Sequence, residues 1–172
     1  MWQMLALLLV EAPLPVCGPA AEIAFREGAP VDRFFIENAS VEDWSIARVE
    51  IGLAGSAGRL VFDTVPGGAG RNVSRPFRAE AGEARLSAAP DVPDGAEGMA
   101  LDFSRFGPGE RFVFSIDMDD RMTAVGGTQV AASELFDAAV TVTFAHARGG
   151  TEIHAARFDD RNRARPAAPC LS

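Results

Sequence analysis

Three carboxylates crowd the end of one alternating segment: Asp117, Asp119 and Asp120 close the run Arg111-Phe-Val-Phe-Ser-Ile-Asp-Met-Asp-Asp120. On a strand, Asp117 and Asp119 share a face with their Cβ atoms about 6–7 Å apart. That spacing suits two carboxylates on one Ca²⁺, whose oxygen ligands sit at ~2.3–2.6 Å. Asp120, a main-chain carbonyl and water would bring the shell toward the roughly six to eight oxygens that Ca²⁺ takes. Asp63, Asp102 and Glu134 are contributors from neighbouring segments. The same residues also suit a strand that ends in a solvated turn, where Asp bonds its own backbone. No loop carries a complete Ca²⁺-ligand pattern, so the expected metal site is Asp117, Asp119 and Asp120, set against that plain turn.

Other chemistry is weaker. His146 and His154 fall on two runs joined at Gly149-Gly150. A two-residue turn there puts the rings on opposite faces and a three-residue loop puts them on the same face. With no Cys nearby, zinc would need carboxylates from elsewhere. Gly55-Ser-Ala-Gly58 lacks one residue of a nucleophile elbow and its strand-to-helix setting. Gly67-Gly-Ala-Gly-Arg71 resembles a phosphate loop only in its glycines and reads as a flexible connection. Glu50 and Asp63 could face each other across a glycosidase cleft, but no spacing ties them together. Asn38-Ala-Ser40 and Asn72-Val-Ser74 match the glycosylation pattern, which is frequent by chance.

The elements that must position these residues are strands. Phe112, Phe114, Ile116 and Met118 occupy one phase of a period-2 pattern, and Val113, Ser115, Asp117 and Asp119 the other. Similar runs cover residues 23–26, 32–37, 44–53, 60–62, 99–103, 140–146 and 152–158, separated by Gly, Pro, Asp and Asn. In residues 44–53 the apolar phase slips near Ala47 and Arg48, as a β-bulge would make it. Pro76 demotes residues 73–78 to an edge or a bulge. Residues 80–98 read as a loop with a weak strand at 84–88, and 132–136 as the one helical turn. About nine strands and minimal helix predict an all-β chain, an antiparallel β-sandwich of Ig-like or jelly-roll-like form.

Composition bounds the rest. At 172 residues and 48% hydrophobic content the chain suits one ordinary domain. A net charge of −8, with every basic residue an Arg, leaves no basic stripe for a nucleic-acid backbone. Residues 1–21 read as an export signal: an apolar run at 5–10, a Pro-broken region, then Gly18-Pro-Ala-Ala21. The run is too short to span a membrane. Cys17 falls within that leader, where Leu14-Pro-Val-Cys17 is an imperfect lipidation site, and Cys170 is then left alone. The expected domain is residues 22–160, with 161–172 a disordered tail.

The order Phe35-Ile-Glu-Asn38, Val49-Glu-Ile-Gly-Leu53, Leu60-Val-Phe-Asp63, Arg75-Pro-Phe77 and Phe112 through Asp120 resembles exported bacterial proteins of the aggregation factor core group. The resemblance covers residues 22–158 and implies a secreted or cell-surface β-sandwich associated with adhesion, with no site residues attached. The expected function is therefore a non-enzymatic adhesion or aggregation module, stabilised by Ca²⁺, with surface proteins or glycans as partners. The alternative is a secreted glycan- or small-ligand-binding module that uses the loops at 80–98 and 123–139. An extracellular hydrolase without a readable motif is a third reading.

Overall fold

Alternation builds the two opening strands. In Ala21–Arg26 (β1) and Arg33–Asn38 (β2), Ile23, Phe25, Phe34 and Ile36 are buried while every second residue meets solvent. The computed structural model describes residues 18–28, 31–41, 43–69, 74–120 and 130–168. Further strands are Trp44–Gly52 (β3), Leu60–Phe62 (β4), Arg78–Ala81 (β5), Gly98–Asp102 (β6), Arg111–Ser115 (β7), Met118–Asp120 (β8), Ala139–His146 (β9), Thr151–Arg157 (β10) and Arg163–Ala164 (β11). Short 3-10 turns occupy Glu83–Arg85 and Ala132–Leu135.

One sheet runs β11-β1-β2-β7-β5 and a second runs β10-β9-β3-β6, while β4 and β8 form a short ribbon. All these pairings are antiparallel. Phe34, Ile36, Phe112 and Phe114 from the first sheet share one buried cluster with Val49, Ile51, Leu101, Val142 and Phe144 from the second. The chain is thus an all-β sandwich, as its alternation predicts. The outer face of the first sheet is laced with ion pairs, Arg33–Glu80, Arg111–Glu37 and Arg163–Glu22. The bulge expected near Ala47 and Arg48 lies between Ile46 and Arg48 in the pairing of β3 with β9.

Asn38 ties the two sheets together at one corner. It is fully buried, and its Nδ2 donates to the carbonyls of Trp44 at 2.9 Å and Phe106 at 2.8 Å. Its Oδ1 accepts the Ser40 N–H at 3.0 Å. The first carbonyl opens β3 and the second belongs to the connection from β6 to β7, so one amide fixes two of the sheet-to-sheet crossings, β2 to β3 and β6 to β7. With both Nδ2 bonds made to main-chain carbonyls, the Asn38-Ala-Ser40 pattern serves the fold. Asn72 lies outside the described residues.

Four expectations are corrected. The run 111–120 is not one strand: its inner face continues through Ile116 and Met118, but the chain leaves the first sheet after Ser115 and pairs with β4 from Met118. Residues 84–88 contain a 3-10 turn and a single bridge, Leu86 to Phe103, in place of a strand. The stretch 161–168 is no loose tail. Asp159 Oδ1 accepts the N–H groups of Arg161 and Arg163, both at 2.9 Å, and turns the chain so that β11 pairs with β1 and buries Ala164. The sandwich also begins before residue 22: the Ala20 N–H donates to Ser40 Oγ, and the Ala21 N–H to the Pro166 carbonyl. Residues 1–17 and 169–172, with both cysteines, lie outside the described residues.

Candidate acidic site

Asp117 sits where the chain passes from β7 to β8, and the pairings on either side decide its neighbours. Arg33 is opposite Ser115, so Asp32 approaches from β2. Phe62 is opposite Met118, so Asp63 comes alongside from the end of β4, and its N–H donates to the Asp117 carbonyl at 3.0 Å. The Arg75 main chain bridges the two, accepting the Asp117 N–H at 3.1 Å and donating to the Asp63 carbonyl at 3.2 Å. Directly opposed residues of an antiparallel pair share a face, and like charges there repel.

The electrostatics follow from that placement. Burial, first, and then the charges of Asp63, Asp32 and Asp119 push the Asp117 carboxyl up to about 7, against a bond from the Met118 N–H that favours the ionised form. Asp32, itself buried, is raised by burial and by Glu27, partly offset by the Gly28 N–H on its Oδ1 at 3.0 Å. The native state therefore holds a proton on Asp117 at pH values where the unfolded chain, with its carboxyl near 3.8, has released it. Stability falls as pH rises from about 4 to about 7, and the penalty is complete above the folded value. For a half-buried carboxyl screened by solvent that penalty is on the order of 1–2 kcal/mol.

The expected ligands are only partly assembled here. Asp117 and Asp119 keep the same strand phase, but Asp63 and Asp32 influence Asp117 more strongly than Asp119 does. The Asp120 main chain pairs with Leu60, and its side chain lies outside the described residues. Asp102 is held elsewhere by Arg48, at 2.7 and 2.8 Å. Glu134 caps the 3-10 turn at the Ala131 N–H, at 2.6 Å. Among the described residues no three His, Cys, Asp or Glu side chains converge tightly enough to hold a metal ion by themselves. Asp32 has no sequence signal, since it lies 85 positions from Asp117 and meets it only through strand pairing.

The remaining motifs are absorbed by the fold. Ser56 is buried, with its Oγ accepting the Leu60 N–H at 2.9 Å. The glycine-rich loop is organised and not merely flexible over residues 64–69: Asp94 accepts the N–H groups of Thr64, Val65 and Ala69. Those bonds, led by Thr64 and Ala69, hold the Asp94 carboxyl below the usual range. A phosphate-loop reading needs those amides open, and Asp94 already occupies them. A Cβ on Gly68 would collide with Asp94 Oδ2. Glu50 faces out of the second sheet beside Arg48, apart from buried Asp63. The β9–β10 connection is a three-residue loop, with the His146 N–H donating to Gly150. It puts both histidines on the inner face, yet His146 meets Trp44 edge-on while His154 bonds Glu152 at 2.8 Å.

Two shallow grooves lie on the surface of the described residues. One, of about 530 Å³, lies between β5 and the loop after it, against Phe77, Glu83 and Leu86. The other, of about 460 Å³, crosses the second sheet's outer face over Gly52, Gly98 and Ala139. No helix among the described residues is long and apolar enough to cross a membrane. Comparison with family models, curated proteins and solved structures finds no match to the chain.

Proposed function

We propose that the chain is an exported, non-enzymatic adhesion module of the aggregation factor core kind, with Ca²⁺ binding at its acidic corner. The observation that carries this reading is the gathering of Asp32, Asp63, Asp117 and Asp119 at one crossing of the sandwich, where burial and mutual repulsion hold Asp117 protonated near neutrality. A divalent cation relieves that repulsion, and an all-oxygen donor set suits Ca²⁺ in preference to Zn²⁺. Main-chain carbonyls and water complete the shell that the side chains alone do not. Ser56, Asp94 and Asn38, the side chains best placed to suggest catalysis or anion binding, are each committed to main-chain partners.

The test is binding of the fluorescently labelled chain to bacterial cells and to immobilised glycans, in millimolar Ca²⁺ and in chelator. Retention on cells in Ca²⁺ that falls about tenfold in chelator and in Asp117→Asn supports the reading. Equal retention in all three conditions contradicts it. The groove against Phe77 and Leu86 favours the secreted ligand-binding module as the second reading. Glycan retention that survives chelation and is lost in Leu86→Arg would select it.

A further inference from the structure

The second sheet ends in β10, an edge strand with no strand paired to its outer side among the described residues. In the pairing of β10 with β9, the His146 N–H reaches Gly150 and the Phe158 N–H reaches Ala138. Because hydrogen-bonded pairs alternate along an antiparallel ladder, Gly150, Glu152, His154, Ala156 and Phe158 turn their main-chain groups toward β9. Thr151, Ile153, Ala155 and Arg157 turn theirs outward. Among the described residues none of these outward groups meets a partner.

The other edges are protected. β5 carries a bulge between Ala79 and Ala81 and follows Pro76 closely. The outer edge of β6 receives the Ser87 N–H on the Asp102 carbonyl, and the Leu86–Phe103 bridge extends that cover. β11 is two residues long. β10 has neither Pro nor bulge, and its two charged residues are each engaged within the chain, Glu152 with His154 and Arg157 with Asp137. Ile153, at its centre, is 66% exposed, the most exposed large hydrophobic of the described residues. Its neighbours on the outer face of β9 and β10 are uncharged, Thr141, Thr143, Ala145, Thr151 and Ala155, and the first charge on that face is Arg157 at the end of β10. The ion-paired outer face of the first sheet is built quite differently.

We infer that a second copy of this chain pairs antiparallel along β10, about a two-fold axis at Ile153, joining the two four-stranded sheets edge to edge. The sequence of β10 is self-complementary in that register. Ile153 faces the partner's Ile153 in a hydrogen-bonded pair, so the exposed apolar side chain is covered by its own mate. Glu152 faces the partner's His154 and His154 faces the partner's Glu152, extending the Glu152–His154 bond already present within each chain. Thr151 faces the partner's Ala155, and no like charges oppose. Registers moved by two residues leave Ile153 without its mate. The contact is short, below the roughly 1,200 Å² of stable interfaces, so it belongs with weak, reversible complexes. It rests on the edge alone and holds whether or not the adhesion reading does.

Sedimentation of the full chain from low to high micromolar concentration tests it. The weight-average mass is expected to rise from 18.2 kDa toward twice that value, while Ile153→Lys and Ala155→Pro, both at solvent-facing positions, stay monomeric with unchanged midpoints of unfolding. Amide exchange of Thr151, Ile153 and Ala155 slows at least about tenfold in the associated wild type only, as newly bonded edge amides should. A wild type that remains monomeric overturns the inference. So does a dimer that survives both substitutions, or one in which those three amides exchange as fast as in the monomer.

Discussion

Phe114→Ala is expected to lower the unfolding free energy by about 3–5 kcal/mol, the loss typical of a large aromatic side chain removed from a packed core. Phe114 is fully buried on β7, stacked on Phe34 with ring centroids 5.0 Å apart and tilted against Phe77 at 5.3 Å. Phe112 lies at 5.9 Å along the same strand. Three neighbouring rings therefore lose contacts together, and neighbours locked in a sheet cannot close the space. For a domain of this size the midpoint falls by roughly 6–20 °C. Phe136, 47% exposed, is the control: its replacement by alanine should change stability by no more than about 0.5 kcal/mol. Equal effects from the two would mean that the inner face of β7 is misassigned.

The second large effect is at Asn38. Removing its amide strips the Trp44 carbonyl, the Phe106 carbonyl and the Ser40 N–H of partners, the last two in buried and the first in part-buried surroundings. The Phe106 carbonyl keeps one bond, from the Ile46 N–H at 2.9 Å, so the penalty is less than the sum of three. Asn38→Ala should cost about 2–4 kcal/mol. Asn38→Asp should cost more above neutral pH, because an anionic acceptor would then face two carbonyl oxygens in a buried site. Chemical denaturation of both variants reads the difference, and a loss under about 0.5 kcal/mol for both would rule out the corner as a fixed junction.

How far the sequence discloses this molecule depends on what periodicity reports. A period-2 pattern records which side of a sheet a residue faces and is silent on which strand lies beside it. Hence β4 and the bulge in β3 are legible, while the break after Ser115 is not: Phe112, Phe114, Ile116 and Met118 stay in one phase although the hydrogen-bonding partner changes from β2 to β4. The same limit hides the acidic corner. Asp117 and Asp119 are visible as neighbours on one strand, and Asp63 as a nearby candidate, but Asp32 joins only through the pairing of β2 with β7. β11 is hidden for a different reason. A two-residue edge strand buries only Ala164, and the flanking Arg163 and Arg165 that bond Glu22 give the segment the composition of a loose tail. At Asn38 a motif with a familiar surface meaning proves to be a buried amide.

The acidic corner is where fold and proposed function meet, and thermal unfolding across about pH 5 to 8 addresses it directly. In chelator, the wild-type chain should lose stability as pH rises and Asp117→Asn should lose less, with the two curves separating by about 1–2 kcal/mol at the alkaline end. In millimolar Ca²⁺ the wild-type loss should disappear, because a cation bound only by the folded state stabilises it and competes with the proton. Asp119→Ala should weaken that rescue. Parallel curves for wild type and Asp117→Asn in chelator, together with no response to Ca²⁺, would contradict the account and leave Asp117 and Asp119 as the solvated end of a strand.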